Sequence, residues 1–410
     1  MSGDTLPGRL VEKAATHPNA VALRFFRRGK WNEVTFGALR EKAARIGSAL
    51  AEQGVELGEV VAIIVEDSTL FLAAELGAQG IGAAVVALDP DVGPQEARAA
   101  VAAAGAVCVI AGDQEQFDKI DEARAAVPTV RLLVVDVTRG LRYLEGAERT
   151  NADGILTMEQ LERHGAPAGW DASAVAIRPD SPARVTCRAA VVRKVSHAEV
   201  IAEANRLQGV IGLAPTDTIY SLHSLADPVE HALVVAGPLT TSAVLHFGQV
   251  GLIYQGLCQV QPSIVHATPG WLRTIEADVA AQTARTKGLK LLALKRGLRP
   301  AEPATVVRAA RHTRPTRLAG IAAAAVVFLF FLLSVDMNDT LRLLIAAVLV
   351  CAAGLALVLS GRAAGVPLRQ HYGLSRCRAV LASATVAGGP AGLLGALSVP
   401  VVRVDSEVLQ

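Results

Sequence analysis

Residues 29–68 read GKWNEVTFGALREKAARIGSALAEQGVELGEVVAIIVEDS, and the two halves of this stretch follow different periods. Leu39, Ala43, Ile46 and Leu50 recur at helical spacing and predict a helix over 39–53. Val60 to Val65 is a short apolar run rich in β-branched residues, the pattern of a parallel strand covered on both faces. The alternation continues outward: a helix over 70–79, a strand over 83–88, a strand over 107–110, a helix over 114–126 and a strand over 131–135. Strand, helix and strand repeated in this way imply right-handed crossovers, hence an α/β, doubly wound domain on an open parallel sheet. Gly77, Gly80 and Gly82, and Gly388, Gly389, Gly392 and Gly395, do not form a G-x-G-x-x-G between a strand and a helix. They are expected in turns and close packing rather than around a dinucleotide.

Composition bounds the rest. The chain has 410 residues, 51% hydrophobic and 19% charged, which excludes intrinsic disorder. A net charge of +2 gives no overall pull toward nucleic acid. The cysteines Cys108, Cys187, Cys258, Cys351 and Cys377 are far apart, with neither a zinc knuckle nor a disulfide framework, and suit a reducing compartment. The first residues carry no apolar run or cleavage signal, so the α/β domain is expected in the cytoplasm.

Hydrophobicity concentrates near the far end. Leu318 to Val335 and Leu343 to Ser360 are uncharged runs of eighteen residues each. At 1.5 Å per residue each spans about 27 Å, close to the ~30 Å hydrocarbon core. Arg311, Arg314 and Arg317 precede the pair, Arg362 and Arg369 follow it, and the connection carries Asp336 and Asp339. Cations mark the cytoplasmic side, so 318–360 is expected to be a transmembrane helical hairpin in the inner (cytoplasmic) membrane, with its loop outward. Both runs are rich in small residues, among them Ala322 to Ala325, Ala347 and Gly354, which suits packing against an integral membrane partner. Between 285 and 317 stand ten Lys or Arg and one acid, Glu302, with Leu289, Leu291, Leu292, Leu294 and Leu298 interleaved. This stretch is expected to be a basic amphipathic segment on an anionic lipid surface, not a nucleic-acid site.

THPNAVALRF, the 29–68 stretch, AQGIGAAVVALDP, PTDTIYSLHSLADPVEHALVVAGPL, QVQPSIVHATPGWLRTIEADV and LRQHYGLSRCRAVLASATVAGGPAGLLGALSVPVV resemble, in that order, the N-terminal domain of adenylate-forming enzymes. The nearest likeness is to long-chain fatty-acyl-CoA synthetases. The resemblance implies their fold, and an ancestral activity in which ATP activates a carboxylate to an acyl-adenylate before transfer to coenzyme A.

The site motifs of that family depart here. Its phosphate loop, approximately Y-T-S-G-T-T-G-x-P-K-G, is followed by a Ser-His that survives as Ser196-His197. The loop itself is replaced by Thr186-Cys187-Arg188-Ala189-Ala190-Val191-Val192-Arg193-Lys194-Val195, without a glycine. Glycines let backbone N–H groups close around phosphate oxygens, whereas Cβ branches obstruct that approach. Thr186, Arg188, Arg193 and Lys194 are the residual candidates for an anion. Asp227 stands where the family phrase P-L-A-H-x-x-E has histidine. His223, Asp227 and His231, four apart, could share a helical face around a metal, but Pro228 interrupts it, and a surface segment is expected instead. Ser383, Ala384 and Thr385 resemble part of the family's adenine-contacting segment. Glu407 is a weak counterpart of its metal-binding glutamate, and the resemblance runs out at Gln410, so a degenerate domain truncated before the family's lid domain is expected. Most of the nine histidines are expected at the surface or at helix ends.

The resulting expectation has four segments: an adenylate-forming-like α/β region over 1–272, the basic segment over 273–317, the hairpin over 318–360 and the remainder of the α/β domain over 361–410. No catalytic residue, metal or resident cofactor is expected. The function expected is that of a membrane-anchored pseudoenzyme, a scaffold or accessory subunit of a transport or lipid-handling complex, with an acyl-type ligand as a further possibility. The alternative is a residual or split fatty-acid–CoA ligase, completed by another chain and using ATP and magnesium.

Overall fold

The computed structural model describes residues 4–66, 69–141, 154–188, 191–221, 224–248, 251–267, 269–285, 371–383 and 401–404. The elements in chain order are α1 (Leu6–Thr16), β1 (Val21–Arg27), β2 (Lys30–Thr35), α2 (Phe36–Glu52), β3 (Val60–Ile64), α3 (Thr69–Gly80), β4 (Ala84–Ala87), α4 (Pro94–Ala104), β5 (Ala106–Ala111), α5 (Gln114–Asp121) and β6 (Leu132–Val135). There follow β7 (Ile155–Thr157), α6 (Met158–His164), α7 (Trp170–Ala176), β8 (Pro182–Arg188), β9 (Val191–Ser196), α8 (His197–Ile211) and β10 (Thr218–Ser221). The last are α9 (Pro228–His231), α10 (Gly237–Thr241), β11 (Val244–Phe247), α11 (Ile253–Val260), β12 (Ile264–Ala267), α12 (Pro269–Arg285), β13 (Ala379–Ser383) and β14 (Val401–Val404).

The chain divides into two compact units, and the first takes the described residues up to Gly256 together with Pro262–His266 and Val404. It is built on two sheets, not the single sheet that the strand–helix rhythm suggested. One runs β7-β6-β5-β3-β4-β8-β9, parallel except for its last, antiparallel pair. In the other, β12, β10, β11 and β1 are parallel neighbours and β2 closes the edge antiparallel to β1. The second sheet went unread because β10, β11 and β12 are four-residue strands, too short to establish a period of two.

Local chemistry explains the element ends. Thr35 caps α2, its hydroxyl accepting the Ala38 N–H at 3.2 Å, so the helix begins three residues before its first periodic leucine. The helix expected over 114–126 stops at Asp121, and a single 3₁₀ turn at Arg124–Ala126 follows. The core of the first sheet is aliphatic: Val60, Ala62, Ile64, Val109, Leu133 and Val185 are buried together.

Helices α2 and α3 pack at backbone range. A Cβ on Gly77 would stand 2.5 Å from the Ala43 carbonyl oxygen, and one on Gly47 would run into the Gly77 carbonyl. The same carbonyl accepts the indole N–H of buried Trp170 at 3.2 Å. Close packing is therefore the role of Gly77, while Gly82, with φ +83, turns the chain into β4.

The second unit holds Leu257–Gln261 and the described residues from Ala267 to Arg403, including α12 and β13. Within it, the Cys258 thiol donates to the His371 carbonyl at 3.3 Å, and Tyr372 and Leu374 are buried. The uncharged runs 318–335 and 343–360, and 286–317 of the basic segment, lie outside the described residues. Among the described residues no helix is long and apolar enough to cross a membrane.

Candidate functional site

The segment in place of the phosphate loop is a β-hairpin. Strands β8 and β9 pair as Arg184↔Val195, Val185↔Lys194, Thr186↔Arg193, Cys187↔Val192 and Arg188↔Val191. Pairing that continues to Arg188 and Val191 leaves two residues, Ala189 and Ala190, to connect the strands. Ala189 and Ala190 themselves lie outside the described residues.

The cations do not compensate. Successive residues of a strand point to opposite faces, so Arg193 lies on the face of Thr186 and Lys194 on the face of Val185. Both cations are exposed and Thr186 is half-buried. Arg193 is already engaged, donating to Glu199 Oε1 at 3.1 Å. Arg188 is the final residue of β8. Among the described residues Thr186 and Arg193 thus lie on one face of the hairpin and Val185 and Lys194 on the other, so the two cations do not converge.

Ser196-His197 has become architecture. The Ser196 hydroxyl accepts the Glu199 N–H at 3.3 Å, while the Glu199 carboxylate accepts the Ser196 N–H at 2.7 Å, a capping box that starts α8. The Ser196 N–H and hydroxyl, then Arg193, hold the Glu199 carboxyl below its usual range. His197 is fully buried, and its Nδ1 accepts the N–H of Leu6, a donor that the first turn of α1 cannot satisfy. Burial pushes its imidazole down to about 4, so it is neutral at pH 7.

Of the helical face considered from the spacing, Asp227 lies ahead of the helix that carries His231. Pro228 is the first residue of α9, and the Asp227 carboxylate caps that helix, accepting the N–H groups of Val229 and Glu230 at 2.8 and 3.0 Å. His223 lies outside the described residues. This is also not a surface segment, since Glu230 and His231 are fully buried. A π-helical turn, Ala232–Ala236, follows them. Among the described residues no group of three or more His, Cys, Asp or Glu is arranged to hold a metal ion.

Around Glu230 and His231 lies a polar network inside the protein. His231 Nε2 is 2.8 Å from Glu75 Oε1 on α3, and His266 Nδ1 on β12 is 2.8 Å from Glu230 Oε2. Gln79 donates from Nε2 to Glu75 at 3.3 Å and to the Ala183 carbonyl at 3.1 Å. Arg184, buried on β8, donates to the Leu225 carbonyl at 3.1 Å. Burial alone would raise the Glu75 carboxyl, yet His231, Arg184 and His197 together hold it below its ordinary value. Burial and the Arg184 charge lower His231, so the neutral imidazole donates to a carboxylate whose counter-charge is Arg184. Burial lowers His266 as well.

Sequence reasoning missed this network. Two signals for it stood in the sequence: an acid inside the apolar run LFLAAELGAQG of α3, and an arginine at the centre of β8. Of the remaining candidates, Ser383 ends β13, and Ala384, Thr385 and Glu407 lie outside the described residues.

Comparison with known proteins agrees with the resemblance read from the sequence. Residues 10–186 match the model of the family described as AMP-binding enzyme. A chondramide synthase of Chondromyces crocatus is 34% identical over 116 residues, 28% of this chain and 3% of that protein. A 3-hydroxybenzoate–CoA ligase of Aromatoleum sp. (strain CIB) is 39% identical over 70 residues, 17% of this chain and 13% of the ligase. The chain thus spans only a small part of these curated relatives. Among solved structures, a long-chain-fatty-acid–CoA ligase from Archaeoglobus fulgidus aligns with TM-score 0.56 at 16% identity, over 67% of this chain and 54% of the ligase. At that identity the likeness establishes the mixed α/β fold with its parallel sheets.

Proposed function

We propose that this chain, which carries the AMP-binding pattern over residues 10–186, is a non-catalytic relative of the acyl-CoA synthetases that serves as a membrane-anchored scaffold. One observation carries the reading: the segment that stands in place of the phosphate loop, Thr186 to Val195, contains no glycine and is paired from β8 to β9 out to Arg188 and Val191. Transfer of an adenylyl group depends on positioning and on charge stabilisation, both of which require that loop. Arg193, tied to Glu199, and Lys194, on the opposite face, do not substitute for it.

Anchoring is supported by the sequence of 285–360, ten cations followed by two uncharged runs. In this reading the α/β domain stays in the cytoplasm and the small-residue faces of the hairpin hold an integral membrane partner. A single cysteine placed at Asn338 is then labelled from outside the membrane only. Labelling from the cytoplasmic side alone contradicts the topology.

A second reading is a split ligase, completed by another chain. It is favoured by the relatives, which are synthetases and ligases. Calorimetric titration with ATP and magnesium separates the two. The scaffold gives no saturable heat, and the split ligase binds.

A further inference from the structure

The β1–β2 hairpin is built against the preferences of its own turn. Arg27 pairs with Lys30, so Arg28 and Gly29 form the two-residue connection, with φ of +52 and +77. Two positive φ values define a type I′ turn, whose first position is normally Asn, Asp or Gly. An arginine there is strained by its Cβ. The register also sets Arg27 and Lys30, like charges, directly across from each other. Three exposed cations thus occupy a four-residue tip.

The next pairs are not charged in this way. Arg24 and Glu33 neutralise each other at 2.7 Å, and Phe26 meets Trp31 edge-to-face at 5.3 Å, both half-buried just behind the tip. Asn32 completes the turn, donating from Nδ2 to the Lys30 carbonyl at 3.1 Å. Asp136, partly buried, feels Arg27 and Lys42, so Arg27 has an acid nearby. Among the described residues neither Arg28 nor Lys30 is in an ion pair with any acid.

We propose that this hairpin tip, Arg28 and Lys30 with Arg27 and the Trp31–Phe26 pair behind them, docks on the anionic headgroups of a lipid bilayer. Charge complementarity argues for the occupant: cations placed at a local cost to the fold gain their return from a dense anionic surface, and an aromatic pair behind them suits the headgroup boundary. A soluble nucleic acid fits less well, because the aromatic rings pack on each other and on the sheet instead of forming an open stacking platform. The inference rests on the membrane-anchored reading above and adds a contact far in sequence from the basic segment.

The test uses the full chain, reconstituted with phosphatidylcholine vesicles with or without phosphatidylglycerol, both carrying brominated acyl chains. Sedimentation reports anchoring, and the part of the fluorescence quenching lost in Trp31→Phe reports the hairpin. Quenching of Trp31 that requires phosphatidylglycerol, and disappears in Arg28→Asn with Lys30→Gln while sedimentation persists, is the expected result. That double variant relieves the turn, so its melting temperature stays level or rises. If the protein sediments but Trp31 is unquenched, or is quenched equally in neutral vesicles or in the double variant, the hairpin contact is overturned. If the protein does not sediment with either vesicle, the membrane reading itself fails.

Discussion

His231 Nε2 lies 2.8 Å from Glu75 Oε1, and both side chains are fully buried. The pair joins α9 to α3, and with Glu230–His266 it ties the segment around Asp227 into the interior. These groups face one another inside the domain and hold α3, α9 and β12 together.

Arg184 and Glu75 are both buried and opposite in charge, and Glu203 and Asp227 also act on Arg184, so removing Arg184 takes a compensating charge away from the Glu75 carboxylate. Arg184→Met is expected to destabilise the domain by roughly 1–3 kcal/mol, through the lost hydrogen bond to the Leu225 carbonyl and the lost positive charge near Glu75. Adding Glu75→Leu to it is expected to cost less than the sum of the two single changes, as measured by urea unfolding of all three variants. Strict additivity would mean that the two charges do not interact.

Stability should fall on mild acidification. His197, His246 and His266 are pushed down to about 4 by burial and are neutral in the folded domain at pH 6, and burial lowers His231 in the same direction. Unfolded, each takes up a proton below about pH 6.5. The unfolded state then binds more protons, so unfolding free energy declines as pH drops from 6.5 toward 4, by up to about 1.4 kcal/mol per histidine per pH unit. Glu75, with its lowered carboxyl, adds to the loss at the acid end, while Glu203 and Asp136, raised by burial, act in the opposite sense. Urea midpoints at pH 7.5, 6 and 5 check this, and a flat profile would contradict it.

The first sheet was legible because β3 and β5 are unbroken aliphatic runs and α2 keeps a clear period. The second sheet and the internal network were not. Four-residue strands carry no readable period, and a histidine that will be buried looks the same in sequence as one that will be solvated. Pro228 in the sequence suggests an interrupted helix and a solvent-facing His231, whereas it begins the helix that carries His231 inward. The loss of the phosphate loop was visible as missing glycines. That the replacement closes into a paired hairpin, with Arg193 and Lys194 on opposite faces, required the register.

Ser196 now serves the helix. Ser196→Ala removes the hydroxyl from a capping box that also anchors Arg193 through Glu199. The expected effect is a loss of about 1 kcal/mol, read from urea unfolding at neutral pH. An unchanged midpoint would show that the residue is held there for something other than the cap.

The most direct test of the central claim is carboxylate-dependent exchange of radiolabelled pyrophosphate into ATP, run on the purified full chain with a panel of fatty and aromatic acids. The paired hairpin between Arg188 and Val191 predicts no exchange above a no-enzyme control for any acid. Exchange that requires the carboxylate and is abolished by Arg193→Ala with Lys194→Ala would contradict the account, because the hairpin would then be handling phosphate.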